Sequence, residues 1–162
     1  MTKHPELAQM ILRKAGVREI RALADLVQEY YRFDRIAFDR KTMEAGLKSL
    51  VKRRSLGQAW LILWHAQTIG YVVATFGFDL EFGGRQATVT DLYIAPHFRR
   101  RGMGREALRQ VEKFARAQGV QALELQVTSR NAKALAFYKR CGFEAHDRIP
   151  MSKRLVPPRV RV

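Results

Sequence analysis

Apolar residues fall along this chain in two rhythms, and the changes between them mark out its elements. Met10 to Lys14 reads as a short strand. After a break at Gly16, the residues Ile20, Leu23, Val27, Tyr30 and Tyr31 recur by threes and fours, the period of a helix with one buried face. A connector holding Phe33 and Asp34 is expected next. Asp39 is placed to cap a second helix, with Met43, Leu47, Leu50 and Val51 inward and Gly57 just past its end.

From Trp60 onward the pattern turns β-branched and aromatic. Trp60 to Trp64 and Thr68 to Phe78 predict a hairpin about His65 to Gln67, and Gly83-Gly84 turns the chain into a further strand, Ala87 to Ile94. Beyond a connector containing Pro96, a helix from about Gly104 to Gln118 buries Leu108, Val111 and Ala115 and stops at Gly119. Leu123 to Val127 is another strand. Asn131 caps a short helix ending at Cys141, with Gly142 after it and Phe143 packing back. Met151 to Leu155 predicts a final edge strand, and Pro157-Pro158 lies in a basic tail, about 156–162. The order β-α-α-β-β-β-α-β-α-β implies an α/β fold with a mixed sheet, antiparallel early and parallel later, and four helices packed on it. With no repeat or linker, a single domain over 1–162 is expected.

Composition narrows the class. A chain of 162 residues, 47% hydrophobic and 28% charged, is neither a disordered tail nor a membrane protein. No apolar run approaches the roughly 20 residues that span a bilayer, and residues 1–15 carry no secretory pattern. The lone Cys141 excludes an internal disulfide and a cysteine-rich zinc site, and no metal is expected. A cytoplasmic protein is the reading that follows.

Charge is the outlier. Thirty Lys and Arg against 15 Asp and Glu give +15; positions 1–81 hold 13 basic and 9 acidic residues, and positions 82–162 hold 17 and 6. The excess sits in the C-terminal half and suits a polyanion: nucleic acid, an anionic surface or a phosphate-rich cofactor.

The stretch most informative about chemistry ends the strand at Ile94, turns through Arg99-Arg100-Arg101-Gly102-Met103-Gly104 and enters a helix. Two close glycines allow a tight bend and close approach to backbone N–H groups, and the helix start adds free N–H groups with a positive dipole end. Beside three arginines, that composition describes a diphosphate cradle. A solvated basic loop is the plainer alternative. A dinucleotide fingerprint also fits Gly102, Gly104 and Ala107, with Glu124 downstream. Against it, Ala95 to Arg101 intervene between strand and glycines, and the chain left after Gly104 is too short for that fold. No G-x-x-x-x-G-K-S/T occurs, which excludes a P-loop.

At this point the sequence resembles the GNAT superfamily of N-acetyltransferases. Arg99, Gly102 and Gly104 meet its R/Q-x-x-G-x-G/A pattern, and Asp91-Leu92-Tyr93-Ile94-Ala95-Pro96 is similar to its D-L-Y-V-x-P strand end. Asn131, Ala134, Tyr138, Gly142 and Phe143 match its N-x-x-A-x-x-x-Y-x-x-x-G-F block. The resemblance covers nearly the whole chain. It implies the GNAT fold, a central sheet of six to seven strands splayed between the fourth and fifth, flanked by four helices, with acetyl-CoA as co-substrate.

Residue by residue, the resemblance implies that the backbone of Leu92, Tyr93 and Ile94 binds the pantetheine arm and acetyl carbonyl. Arg99, Arg100, Arg101, Gly102, Met103, Gly104 and Arg105 would hold the diphosphate, Asn131 would touch the arm, and Tyr138 would serve as general acid to the leaving thiol. Asn131 and Tyr138, seven residues apart, share a helix face. Packing beside Phe137 is the alternative for Tyr138, and plain capping for Asn131. Where many relatives, including the diamine-acetylating branch, have Glu before the Asp-Leu-Tyr block, this chain has Thr90, so that base is lost; Asp91, Glu81, Asp34 or ordered water remain, with Asp91 taken first.

Acceptor contacts in the family imply Tyr30, Tyr31, Phe33 and Asp34, faced by Phe78, Asp79 and Glu81. Rings beside carboxylates suit a cationic amine, although Tyr30 and Tyr31 equally suit a helix core. The implied reaction moves an acetyl group to a primary amine of a small molecule or peptide. The rival class is a basic nucleic-acid- or ribosome-associated protein, or an acetyltransferase of such a protein. A homodimer is a further partner to consider.

Overall fold

The computed structural model describes residues 9–155, and the basic tail expected at 156–162 lies outside them. Strand β1 (Met10–Lys14) is followed by a single 3-10 turn that leads into α1 (Ile20–Asp34), and α2 (Arg40–Lys52) comes next. Then come β2 (Gly57–Trp64), β3 (Gln67–Asp79) and β4 (Gly84–Ile94), and last α3 (Met103–Ala117), β5 (Ala122–Leu125) and α4 (Ala132–Arg140). The sheet runs β1-β2-β3-β4-β5, antiparallel through β4 and parallel between β4 and β5.

Local signals explain most of these limits. Asp39 caps α2, its Oδ2 accepting from the Thr42 N–H at 2.9 Å. Asn131 caps α4, its Oδ1 accepting from the Ala134 N–H at 3.1 Å. His65 and Ala66 both take positive φ (46° and 63°) and close the β2–β3 hairpin in two residues.

The sheet is covered on both faces. Leu23, Val27 and Leu47 of α1 and α2 pack with Leu61, Tyr71, Val73 and Tyr93 on one side. Met103, Leu108 and Val111 of α3 pack with Trp60, Ile62, Val72 and Val89 on the other, where Phe137 and Tyr138 of α4 join them.

Four expectations are corrected. The sheet has five strands among the described residues, not six to seven. Met151 to Leu155 forms no strand: Met151 and Leu155 stand 91% and 85% exposed, so their alternation has no face to dock on, and Pro150 withholds a backbone donor. Phe33 and Asp34 belong to the last turn of α1 rather than a connector, because the helix closes only at Arg35, in the left-handed conformation (φ 57°). Gly57 does not end α2. It opens β2, where a Cβ would lie 2.2 Å from the Ala74 carbonyl oxygen.

Candidate active site

The site is built where β4 parts from β5. The two strands pair from Gln86↔Ala122 to Val89↔Leu125 and no further, while β4 continues to Ile94. Against β3 the register jumps from Ala74↔Val89 to Val73↔Asp91, so Thr90 is an extra, bulged residue. The bulge inverts the alternation. Val89 faces the α3 side, yet Asp91, two residues on, shares the opposite side with Tyr71, and Tyr93, four residues on, packs there with the α1 cluster.

Hydrogen-bond parity then fixes what the open edge presents. The Ala95 N–H donates to the Ile69 carbonyl at 2.8 Å, which makes 69/95 and 71/93 bonded pairs and 70/94 and 72/92 non-bonded ones. The backbone groups of Leu92 and Ile94 therefore point away from β3, into the gap that β5 leaves. An extended amide chain laid there would find a strand edge to pair with.

Along this edge the chain reaches the arginine loop. Gly102 caps α3 with φ 79°, and Met103, 1% exposed, anchors the first turn in the core. Gly104 lies against α4: a Cβ there would meet Phe137 Cζ at 3.2 Å. The first N–H groups of α3 thus open beside Arg100, Arg101 and Arg105, all exposed. The Arg101 guanidinium stands 5.7 Å from the Trp64 ring. Arg99 turns back instead, its Nε–H donating to the Ile94 carbonyl at 2.7 Å.

All five tyrosines of the chain gather around the fork. Tyr30 contacts Tyr31 (5.8 Å between ring centroids) and Tyr93 (5.9 Å), and Tyr93 contacts Tyr71 (6.1 Å). Tyr138 comes from α4 on the other face, braced by Phe137 and Phe143, and is near enough that its charge would be felt at Tyr30. Three phenols are paired with carboxylates: Tyr30 with Asp34, Tyr71 with Asp91 at 3.3 Å and Tyr93 with Glu29 at 3.2 Å.

Burial dominates the electrostatics here. It pushes the phenols of Tyr30, Tyr71 and Tyr138 above their ordinary value, helped by Asp34 at Tyr30, by Asp91 at Tyr71, and by Cys141 and Asp34 at Tyr138. It also lifts the Asp91 carboxyl above the usual carboxylate range, against hydrogen bonds from Thr90 and Tyr71 that favour the charged form. The fork therefore combines phenols that hold their protons with a carboxyl that takes one up more readily than usual.

Of the residues singled out in the sequence, Tyr30, Tyr31, Asp34, Asp91, Tyr93 and Tyr138 converge on the fork. Phe33 lies at its mouth, 63% exposed, beneath the Arg99 guanidinium. Asn131 stands at the start of α4 as its cap. Glu81 is not among them. It sits in the β3–β4 turn, at the opposite end of β4 from Asp91, in an ion pair with Arg148 at 2.7 Å; Phe78 and Asp79 lie at the same end. Four residues were given no part in the site by the sequence reading: Tyr71, Glu29, Trp64 and Phe137. Tyr71 and Trp64 lie in strands whose apolar pattern absorbs them, and Glu29 in the polar positions of α1. Phe137, next to Tyr138, offered a signal, since a ring facing the loop's second glycine explains the glycine.

Among the described residues no helix is long and apolar enough to cross a membrane, and no three of His, Cys, Asp and Glu converge as a metal site.

Comparison with known proteins places this geometry. A model of the acetyltransferase (GNAT) family matches residues 20–143. The uncharacterized N-acetyltransferase YhfO of Bacillus subtilis is 28% identical over 135 residues, 83% of this chain and 90% of that protein. An integron cassette protein from the mobile metagenome of Cole Harbour Salt Marsh superposes with a TM-score of 0.81 at 30% identity, covering 94% of each chain. An aminoglycoside N-acetyltransferase solved in complex with CoA shares the fold alone, with a TM-score of 0.78 at 14% identity over 91% of this chain and 95% of its own.

Proposed function

The chain belongs to the acetyltransferase (GNAT) family, and on that premise we propose that it moves the acetyl group of acetyl-CoA to a primary amine of a small molecule or peptide. The observation that carries this reading is the open edge of β4. Leu92 and Ile94 present unpaired backbone groups there, and the edge leads straight to the N-terminus of α3 and its arginines. A pantetheine arm carries amides for the edge, and a diphosphate suits the helix start beside Arg100, Arg101 and Arg105. Asn131 flanks the arm from α4.

The reaction is direct attack. The amine nitrogen bonds to the acetyl carbon, the carbon–sulfur bond breaks, and the sulfur leaves with the electron pair. A free alkyl amine of pKa ~10 is protonated at pH 7, so freeing its lone pair costs about 4 kcal/mol. Asp91, whose carboxyl is lifted by burial, is the base assigned to that proton, directly or through water. Tyr138, whose phenol is held protonated, supplies a proton or hydrogen bond to the departing sulfur. Tyr30, Tyr31, Phe33 and Asp34 give the acceptor ring faces and a carboxylate, which favour a cationic amine.

Titration calorimetry with acetyl-CoA, followed by a thiol-release assay over aminoglycosides, polyamines, amino acids and peptides, tests the reading. Saturable acetyl-CoA binding and amine-dependent thiol release are expected. No binding of acetyl-CoA would overturn it.

A further inference from the structure

Arg99 lies in the arginine loop but its side chain serves the fork. Its Nε–H donates to the Ile94 carbonyl at 2.7 Å, and its guanidinium carbon stands 4.9 Å from the Phe33 ring and 5.6 Å from the Tyr93 ring. Ile94 is at a non-bonded position against Gly70, so the carbonyl that Arg99 caps is one of those facing the open edge. The cation thereby covers an acceptor on the track laid out for the pantetheine arm, and spans two rings at the mouth where an amine would enter. It does so through a neutral carbonyl, two ring faces and a hydrogen bond to the neutral Tyr93 phenol, without an ion pair among the described residues.

Those partners are weak ones for a guanidinium. A diphosphate at the α3 N-terminus, five residues or fewer from Arg99 in the same loop, offers full charge and a two-pronged match to the guanidinium fork. We propose that Arg99 makes the cleft selective for thioesters that carry a diphosphate. Without one, its guanidinium blocks the Ile94 carbonyl and covers Phe33 and Tyr93; a diphosphate draws it away and frees both together. A bare pantetheine thioester has nothing with which to displace it. This proposal rests on the acetyl-CoA reading above.

Calorimetry on the full chain compares CoA with pantetheine, the same thiol arm without the diphosphate, for wild type and Arg99→Ala. Pantetheine is also read as a competitor of CoA, so that a small heat still yields an affinity. The two ligands are expected to respond with opposite sign. CoA should bind the variant about 10-fold more weakly, having lost a charged partner, while pantetheine should bind it several-fold more tightly, the carbonyl being free. Arg99→Gln, which cannot span the rings, should show the same pair of signs, and melting curves identify a variant that is unfolded. Loss of affinity for both ligands would mean a structural role. Loss for CoA with pantetheine unmoved would mean a plain phosphate contact. Either result overturns the proposal. Absence of CoA binding by the wild type would instead overturn the acetyl-CoA reading itself.

Discussion

The Tyr71 phenol donates to the Asp91 carboxylate, Oη to Oδ1 at 3.3 Å, on the side of the sheet to which the Thr90 bulge has turned Asp91. Burial still prevails over that bond and holds the carboxyl above its ordinary value of 3.8. The folded chain thus binds this proton more tightly than the unfolded chain. The stabilisation is complete below the ordinary value and is lost as pH rises through the raised one. Asp91→Asn, neutral at every pH, is expected to melt close to wild type near pH ~4 and above it at neutrality, the gap opening between the two pKa values. Thermal melts at stepped pH check this, and a gap constant across the series would count against it. In the same variant, turnover should fall by about 100-fold if Asp91 is the base.

The two loop glycines are required for different reasons. Gly102 has a left-handed backbone, φ 79°, where a side chain costs about 1–2 kcal/mol. Gly102→Ala is expected to lower both stability and CoA affinity. At Gly104 the constraint is the Phe137 ring, 3.2 Å from where a Cβ would stand. Gly104→Val should cost about 1–3 kcal/mol by overpacking, and adding Phe137→Leu should recover most of the melting temperature. A double variant that melts no higher than Gly104→Val would show that the ring is not the obstacle.

Tyr138→Phe keeps the contacts with Phe137 and Phe143 and removes only the hydroxyl. Melting temperature and CoA affinity should hold while kcat falls about 100-fold. A two- to threefold drop would assign Tyr138 to packing, with water assisting the thiolate.

Asp34 and Glu81 are both acidic candidates for acceptor binding, but only Asp34 reaches the fork, through Tyr30. Asp34→Asn is expected to raise KM for a cationic amine several-fold. Glu81→Gln breaks only an exposed pair with Arg148, so KM should stand and the melting temperature should scarcely move. A raised KM in Glu81→Gln would return that residue to the site.

Much of the fold is legible in the sequence because it is encoded locally. Asp39 and Asn131 start their helices with their own side chains, Gly119 and Gly142 mark helix ends with positive φ, and the threefold and fourfold spacing from Ile20 to Val27 selects a buried helix face. The glycine loop and the Asn131 to Phe143 block lie in the order the resemblance requires, so the family could be read from the sequence alone.

What the sequence could not decide is non-local. Alternation along β4 says nothing of an extra residue, because a bulge exists only against a partner strand; the β3 register creates it at Thr90 and so turns Asp91 toward Tyr71. Met151 to Leu155 has the pattern of a strand, but pairing needs a neighbour, and the segment has none among the described residues. Long side chains obey the same rule. Three successive arginines look alike in sequence, and it is the position of the Ile94 carbonyl and the Phe33 and Tyr93 rings, brought together by α1 packing on β4, that sets Arg99 apart. Backbone capping and periodicity are determined within a few residues, whereas the direction of a side chain at the fork is determined by elements far apart in the chain.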